Sequence, residues 1–483
     1  MKTLFRNING PARTSPVSSK GFRIISFALL ILGTVPVIRA EASWSSFFEK
    51  VFPRGKKIQT EEVCSKTMSL QDVIEFALKN HLLTKLALEQ IRESKAQRLQ
   101  AGSVLLPHVE GSLSENRVGR MNLAAMGFES YPLIGPFDVF DARFRLTQTV
   151  FDVSALARFQ AANTGVKVKE YEDEFAKQKV TLEAALAYLA ALQSEGRFKA
   201  AEANVQLADR LLKQANHQHE AQIATGVDVA RATTRTAEET FQLEHAGMGL
   251  TESYLQVQRV AGLPYEDRLG LSDSLSYFEE PELPAGEAIR LAVSQRLEAR
   301  ILKDGIRAEK YLLNAAKAEM LPKIGLNGDI GLSGNGPKRN DRMTGQIMIG
   351  GTLPIFEGGK IWGEIKEASS RKRQLEQRLA DLDRQIEEDV RLALVKIRTE
   401  KQQVKTARSI LELATRELKM AQDRFGAGLG DNVEVVAAQA TLARARDTYV
   451  SALTQYHVAR LNYFFALGQT GSFNLQKSFP EKE

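Results

Sequence analysis

Two long segments without proline constrain this 483-residue chain more than any other feature of its sequence. Proline is absent from residues 137–263 and 355–479. Both segments are rich in alanine, leucine, glutamate, glutamine, lysine and arginine, which have high helix propensities. Within them, residues 154–219 contain two glycines and residues 360–425 contain one. At a rise of about 1.5 Å per residue, the sequence predicts two helices roughly 100 Å long.

A seven-residue repeat on the second long helix indicates a coiled coil. Large apolar residues stand at every seventh position, namely Val390, Ile397, Val404, Leu411, Leu418 and Phe425. A small residue follows most of them after three residues, as at Ala393, Ala407, Ala414 and Ala421, and Glu400 is the exception. A large residue that alternates with alanine along a heptad seam allows two helices to approach closely.

The chain contains an internal duplication. Phe198, Val205 and Leu212 repeat the heptad pattern 206 positions before their counterparts. Other landmarks recur in the same order, including Leu106-Pro107 with Leu321-Pro322 and Val227-Asp228-Val229 with Val433-Glu434-Val435. A generic helical bundle could share the heptads, but it would not share these landmarks. Each half therefore reads as a helix, a strand pair, a long helix, a tight turn and a shorter helix.

The duplication predicts the domain organisation. The first helix of each half is expected at residues 69–106 and 284–320, and the last at 228–261 and 431–467. We divide the chain into a signal peptide (1–42), a segment of unknown role (43–68), a first repeat (69–268), a linker (269–283), a second repeat (284–470) and a tail (471–483).

The basic charge of the chain belongs to its leader. Residues 1–42 carry a net charge of +5, whereas the whole chain carries +6, so the charge balance gives no support for nucleic-acid binding. A basic stretch, an apolar run and Ala40-Glu41-Ala42 are typical of a cleaved secretory signal, and a retained signal anchor is the alternative. Cys64 is the only cysteine, so it forms no internal disulfide.

Four stretches have the alternation of β-strands, at residues 108–118, 140–150, 323–332 and 347–353. In the second, apolar residues such as Phe144 alternate with Asp141, Arg143 and Arg145. A soluble sheet with one polar face would also fit this pattern. However, four strands cannot close alone, whereas three chains would supply twelve strands for a barrel that is apolar outside and polar inside. The expected fold class is thus mainly α, with a coiled-coil α-barrel and membrane strands.

These features together resemble the TolC family of outer-membrane channels. The resemblance covers nearly all of residues 69–470 and is carried by the opening motif at 69–78, the two Leu-Pro pairs, the motif Pro354-Ile355-Phe356-Glu357-Gly358-Gly359, and the turns at 221–232 and 424–435. For residues 43–68 we place no counterpart in the family, and Gln222 stands where the turn commonly has glycine.

The resemblance implies a homotrimer in the outer membrane of a Gram-negative bacterium, with its helices in the periplasm. It also implies contact with outer-membrane lipid, a periplasmic adaptor (membrane fusion protein) docked at the helical tips, and an inner-membrane RND or ABC pump bound through that adaptor. The function would be the exit duct of a tripartite efflux or type I secretion system, with no catalysis and no cofactor. A periplasmic coiled-coil adaptor or an exported structural coiled coil is the alternative.

The two turns contain the candidate site residues. For adaptor docking and gating we identify Thr225, Gly226, Phe425, Gly428 and Gly430. Acidic residues just past the turns are candidates for a pore constriction, namely Asp228, Asp431 and Glu434. If the helices taper there, three chains would place a ring of carboxylates around a narrow aperture, as in cation-selective pores. The alternative is that an acid in the first helical turn only complements the helix dipole. Some relatives of the family lock the closed tip with polar side chains from this turn. Because Phe425 has no hydroxyl and Gly430 no side chain, we expect a closed state that is looser or differently held.

No pattern in the sequence indicates an enzyme or a metal site. The glycines of residues 325–336 lie on a strand and a turn, and they do not precede a helix as a phosphate-binding loop would. His217 and His219 are two residues apart on a helix, which directs them to different faces.

Overall fold

The computed structural model describes residues 67–122, 127, 133–222, 224–265, 269–279, 283–336, 341–427, 429 and 432–475. The first half contains β1 (Thr67–Met68), α1 (Leu70–Asn80), α2 (Leu82–Ser103), β2 (His108–Val118), β3 (Met121–Asn122), β4 (Leu133–Ile134), β5 (Phe137–Phe151), α3 (Val153–Glu220) and α4 (Gly226–Ala261). The second contains β6 (Gly270–Leu271), α5 (Ala285–Gln295), α6 (Leu297–Ala318), β7 (Lys323–Gly334), β8 (Arg342–Thr352), α7 (Lys360–Gly426), α8 (Asn432–Ala466) and a 3-10 turn (Thr470–Ser472).

The two long helices are confirmed. Helix α3 has 68 residues and α7 has 67, and each ends within a residue or two of the predicted limit. Each pairs with the shorter helix that follows it, α3 with α4 and α7 with α8. The predicted heptad residues Val390, Ile397 and Val404 are buried. The helices therefore form two antiparallel coiled-coil hairpins, joined side by side where α8 also contacts α3.

The first helix of each half is not continuous, which corrects our prediction. The break lies at His81 in the first half and at Arg296 in the second, where ψ is 140° and 126° respectively. These extended backbones interrupt the helical hydrogen bonds. The His81 Nδ1 atom accepts the Leu83 N–H at 3.2 Å and so caps α2. Neither proline nor glycine marks the breaks, and for that reason the sequence pattern did not reveal them.

The four long strands form one antiparallel sheet in the order β2-β5-β7-β8. All four predicted strands are present, including the weakly patterned β2. The register pairs Arg143 of β5 with Ser112 of β2 and Gly331 of β7, so polar residues share one face. The opposite face carries exposed apolar side chains such as Phe144 and Ile347. Strands β2 and β8 are the two edges.

The linker and the beginning of the tail belong to the helical core. Strand β6 of the linker pairs in parallel with β1, which lies in the segment to which we assigned no role. The Asp273 carboxylate accepts hydrogen bonds from the Leu70 N–H and from the Tyr188 hydroxyl, each at 2.8 Å. Burial, followed by the neighbouring Asp273, raises the pKa of Tyr188. In the tail, Phe473 and Leu475 are buried in the same apolar cluster as α1 and α3.

Helix α8 carries a buried pair, His457 and Arg460. Both residues are 0% exposed. The His457 Nε2 atom lies 3.0 Å from the Ser276 carbonyl oxygen, and Arg460 Nη1 lies 3.2 Å from His457 Nδ1. Because a carbonyl only accepts and a guanidinium only donates, this geometry requires a neutral histidine with its proton on Nε2. Burial, with a further contribution from the Arg460 charge, lowers the pKa of His457 to about 4.

We expect His457 to make the folded protein sensitive to acid. Its unfolded pKa is about 6.5, so its contribution is complete above that pH and is lost as the pH falls towards about 4, by roughly 3 kcal/mol in total. His457→Gln should remove this part of the pH dependence. Thermal denaturation of both proteins at about pH 7.5 and pH 4.5 would measure it. An equal loss of stability in the two proteins would contradict the prediction.

The predicted signal peptide and Cys64 lie outside the described residues. None of the helices within the described ranges is both long and apolar enough to cross a membrane.

Candidate functional site

The first tip joins α3 to α4, and Thr225 and Asp228 shape its second side. Thr225 is the N-cap residue of α4. Its N–H and its hydroxyl both donate to Asp228 Oδ2, at 2.9 Å and 2.7 Å. Gly226 begins the helix, and the nearest atom to a Cβ placed there would be His219 Cε1 at 4.0 Å. The Asp228 carboxylate therefore accepts both Thr225 hydrogen bonds and stabilises the start of α4.

These hydrogen bonds also determine the ionisation of the Asp228 carboxyl group. The Thr225 hydroxyl, and then the Thr225 N–H, hold the pKa of Asp228 below its usual range. Arg231 contributes in the same direction, with its Nη1 atom 3.6 Å from Asp228 Oδ1. The Asp228 side chain is 14% exposed. Asp228 thus remains ionised at neutral pH, and its carboxylate is largely occupied by its own helix end.

Gln222 has a strained backbone in the same turn. Its φ of 59° lies in the left-handed region, and no other non-glycine residue in the described part of the chain has a positive φ. A residue with a Cβ pays about 1–2 kcal/mol in this conformation, whereas glycine does not. Gln222 therefore occupies a position at which the backbone conformation favours glycine, the residue that the family commonly has there.

Glu434 lies in a different environment from its repeat counterpart Asp228. Its side chain is 50% exposed, and Oε2 lies 3.5 Å from Arg424 Nε at the end of α7. Arg424 also donates through Nη2 to the Leu429 carbonyl at 3.4 Å. Phe425 packs against the buried cluster that includes Leu418 and Val435. Glu434 therefore presents its carboxylate to solvent more fully than Asp228 does.

Asn432 joins the two tips and was missed by the sequence reading. Its Nδ2 atom donates to the Asp228 carbonyl at 3.0 Å, and the residue is only 5% exposed. An asparagine at the start of a helix is a common N-terminal signal, but no local pattern indicates a bond to a residue 204 positions away. The structure thus brings the starts of α4 and α8 together. Asp431, Gly428 and Gly430 lie outside the described residues.

The polar face of the sheet carries a charged network centred on Arg143. Its Nε atom is 2.8 Å from Asp141 Oδ1, its Nη1 atom contacts Asp329, and its Nη2 atom lies 3.0 Å from the Thr344 hydroxyl. These groups come from β5, β7 and β8, so one guanidinium links three strands. The arrangement stabilises a charged residue on a face that water can reach.

The potential metal ligands near the tips and the sheet do not converge in the described part of the chain. Within the described residues, no group of three potential ligands is close enough to bind a metal ion. His217 and His219 have different neighbours, since the first lies 3.7 Å from Glu220 and the second contacts the Ala224 carbonyl at 3.0 Å.

Comparison with known proteins gives a consistent result. The family model described as outer membrane efflux protein matches residues 291–469. The pyoverdine export outer membrane protein OpmQ of Pseudomonas aeruginosa is 22% identical over 405 residues, which are 83% of this chain and 85% of that protein. The outer membrane protein TolC of Escherichia coli is 21% identical over 343 residues, which cover 68% and 69% of the two chains.

A solved structure supports the fold. The Campylobacter jejuni CmeC outer membrane channel superimposes with a TM-score of 0.74 at 19% identity, over 85% of this chain and 87% of that one. The predicted architecture of long coiled-coil helices, a four-stranded sheet and an internal repeat is therefore confirmed.

Proposed function

Because the chain belongs to the TolC-like family of outer membrane efflux proteins, we propose that it is the trimeric exit duct of a tripartite efflux or type I secretion system. The protein is an outer-membrane channel of a Gram-negative bacterium, and its helical part extends into the periplasm. Its family consists of channels, which are not enzymes, so we assign it no catalytic residues, no cofactor and no nucleic-acid partner.

The observation that carries the proposal is the open sheet with two different faces. Strands β2 and β8 leave unpaired edges, and unpaired backbone groups in lipid cost several kcal/mol each. Three copies would pair β8 of one chain with β2 of the next and close a twelve-stranded barrel. The exposed apolar face would then contact lipid, and the Arg143 network would line the aqueous lumen.

The same sheet argues against the two alternatives. A periplasmic adaptor needs a compact β domain between its paired helices, whereas here strands from both repeats join one extended sheet. An exported structural coiled coil that stays in water would not be expected to expose a sheet face with Phe144, Ile347 and Ile349. Such an apolar face is typical of a membrane or protein contact.

The first test is fractionation followed by native mass spectrometry in detergent. We expect the full chain in the outer-membrane fraction and a trimer as the assembled species, because a monomer would leave both sheet edges open in lipid. A folded monomer as the only species would contradict the exit-duct proposal. Recovery in the soluble periplasmic fraction would instead favour the adaptor or structural alternative.

We further propose that the helical tips are the surface for the periplasmic adaptor, through which an inner-membrane RND or ABC pump would act. The tip residues Thr225, Gly226 and Phe425 lie at the ends of the two hairpins, which Asn432 joins into one unit. Residues 428 and 430 complete the second turn in the sequence.

Glu434 should contribute more to ion selectivity than Asp228 does. The Glu434 carboxylate is half exposed, whereas the Asp228 carboxylate is engaged by Thr225. In planar bilayers, Glu434→Gln should lower the preference for cations, because a ring of carboxylates would lose its charge. Asp228→Asn should change it less. Reversal potentials under a salt gradient measure both effects, and values equal to wild type for Glu434→Gln would place this acid away from the pore.

A further inference from the structure

The linker segment (residues 269–279) contacts three long helices in the order α3, α8 and α7. Its first part is held on α3, where Asp273 Oδ2 accepts the hydroxyl of Tyr188 at 2.8 Å. Its middle lies on α8, where the Ser276 carbonyl contacts the buried histidine of that helix. Its last residue, Glu279, reaches α7. One short segment thus connects the first hairpin to both helices of the second.

The contacts of the linker segment with α8 are buried. The Tyr456 hydroxyl donates to the Phe278 carbonyl at 2.7 Å, and the rings of Tyr277 and Tyr456 lie 5.3 Å apart. The Arg460 guanidinium lies 4.0 Å from the centre of the Phe278 ring. Both Tyr456 and Arg460 are 0% exposed. Aromatic and cation–π contacts are strongest where water is excluded, so this part of the segment is firmly anchored.

The contact with α7 is of a different kind. Glu279 Oε1 lies 2.7 Å from Lys401 Nζ and 3.6 Å from Lys405 Nζ, and the Glu279 side chain is 60% exposed. Lys401, followed by Lys405, holds the pKa of Glu279 below its usual range, so the carboxylate is ionised at neutral pH. Exposed ion pairs are weak and are screened by salt. The segment is therefore fixed on α3 and α8 and reversibly attached to α7.

This contact lies where a small change of α7 would have a large effect at the tip. On the side of the sheet, α7 is also packed against α5 and α6. On the side of the tip, it packs with Val435 and Leu442 of α8 in one apolar cluster. Lys405 stands 20 residues before Phe425, a distance of about 30 Å along the helix. A rotation of about 10° at Lys405 would displace the end of α7 by roughly 5 Å.

We propose that the contact of Glu279 with Lys401 and Lys405 holds the tip end of α7 in its closed position, so that Glu279 is a positioning residue for the gate. The inference rests on the proposed exit duct and adds a point of regulation distant from the tip. Breaking the contact would leave the anchors on α3 and α8 in place and release only α7. The closed population would then fall, because the contact stabilises the closed state alone.

Single-channel recording of the purified trimer in planar bilayers tests this role. Glu279→Lys places three positive charges together and should raise the ratio of open to closed time about two- to tenfold. Glu279→Gln should give a smaller rise, and Glu279→Asp should stay near wild type. Exchanging the charges, by Glu279→Lys with Lys401→Glu and Lys405→Glu, should return the ratio towards the wild-type value. A merely structural role of Glu279 would not predict this rescue.

Glu412→Lys is the matched control. Glu412 Oε1 lies 3.3 Å from Arg408 Nε in an exposed ion pair within α7. The variant changes the charge of the chain by the same amount and leaves the contact of Glu279 intact, so its ratio should equal that of wild type. Native mass spectrometry and thermal denaturation should give the same trimer level and the same midpoint for all variants.

The inference would be overturned by a ratio for Glu279→Lys equal to that of wild type. A rise that the charge exchange does not reverse, or an equal rise for Glu412→Lys, would overturn it as well. In these cases a conducting wild-type trimer would leave the exit-duct proposal intact, whereas a wild-type trimer without conductance would contradict both. If Glu279→Lys does not assemble, the same criteria apply to Glu279→Gln.

Discussion

Gly331→Ala should abolish the assembled trimer, although it adds a single methyl group. Gly331 lies in β7 opposite Arg143 of β5. A Cβ at this position would lie 2.2 Å from the Ala142 carbonyl oxygen and 2.7 Å from Arg143 Cα. Both atoms belong to the backbone of the neighbouring strand, so no side-chain rotation relieves the clash. The two strands must separate or shift, and β5–β7 is the junction between the two repeats.

The consequence extends beyond the local strain because this junction fixes the register of the sheet. Moving β5 away from β7 would displace Arg143 from Asp329 and Thr344, which lie on β7 and β8. A one-residue shift would instead bring apolar side chains to the polar face. Overpacking of a well-fitted site commonly costs 1–3 kcal/mol, and a displaced strand in lipid adds unpaired backbone groups.

Gly325→Ala provides the control on the same strand and the same face. A Cβ there would have only the Gln148 carbonyl oxygen nearby, at 3.7 Å, which is an ordinary contact. We expect wild-type trimer levels in outer-membrane fractions for Gly325→Ala and no detectable trimer for Gly331→Ala. Equal trimer levels in the two variants would show that the β5–β7 pairing is not required for assembly.

Elements with a regular period could be predicted from the sequence. The limits of α3 and α7 followed from heptads and from the absence of proline, and β2, β5, β7 and β8 followed from apolar alternation and the Leu-Pro landmarks. These signals are local and regular, so a single sequence is sufficient to predict the elements that they mark. Asp228 and Glu434 lie in the first turns of α4 and α8, as the repeat implied, whereas Asp431 lies outside the described residues.

The features that were missed depend on contacts between distant parts of the chain. Arg296 interrupts its helix while its guanidinium contacts Glu298 and Asp389, the latter on α7. Asp273 and Ser276 belong to a linker without any periodic pattern, yet they accept hydrogen bonds from Tyr188 and His457. Such pairs have no fixed spacing. They become visible only when packing places their helices side by side.

Bulky residues at the second tip should abolish export without changing the amount of trimer. We expect this of the double variant Gly428→Trp and Gly430→Trp, whose positions lie outside the described residues. The neighbouring residues explain the sensitivity: the turn connects Arg424 and Phe425 at the end of α7 to Asn432 and Glu434 at the start of α8. An indole in so short a turn would cover the surface that we assign to the adaptor.

The strands of the sheet lie far along the chain from this turn, so folding and trimer formation should continue. Gly363→Trp is a suitable control, because a Cβ at this exposed α7 position meets nothing within 4 Å and lies near the other end of the helix. Trimer level is measured by native mass spectrometry of outer-membrane extracts, and export by recovery of the substrate outside the cell. Normal export by the tip variant would place adaptor docking elsewhere. Loss of its trimer would instead assign the turn a role in assembly, because Asn432 and Asp228 join the two hairpins at this point.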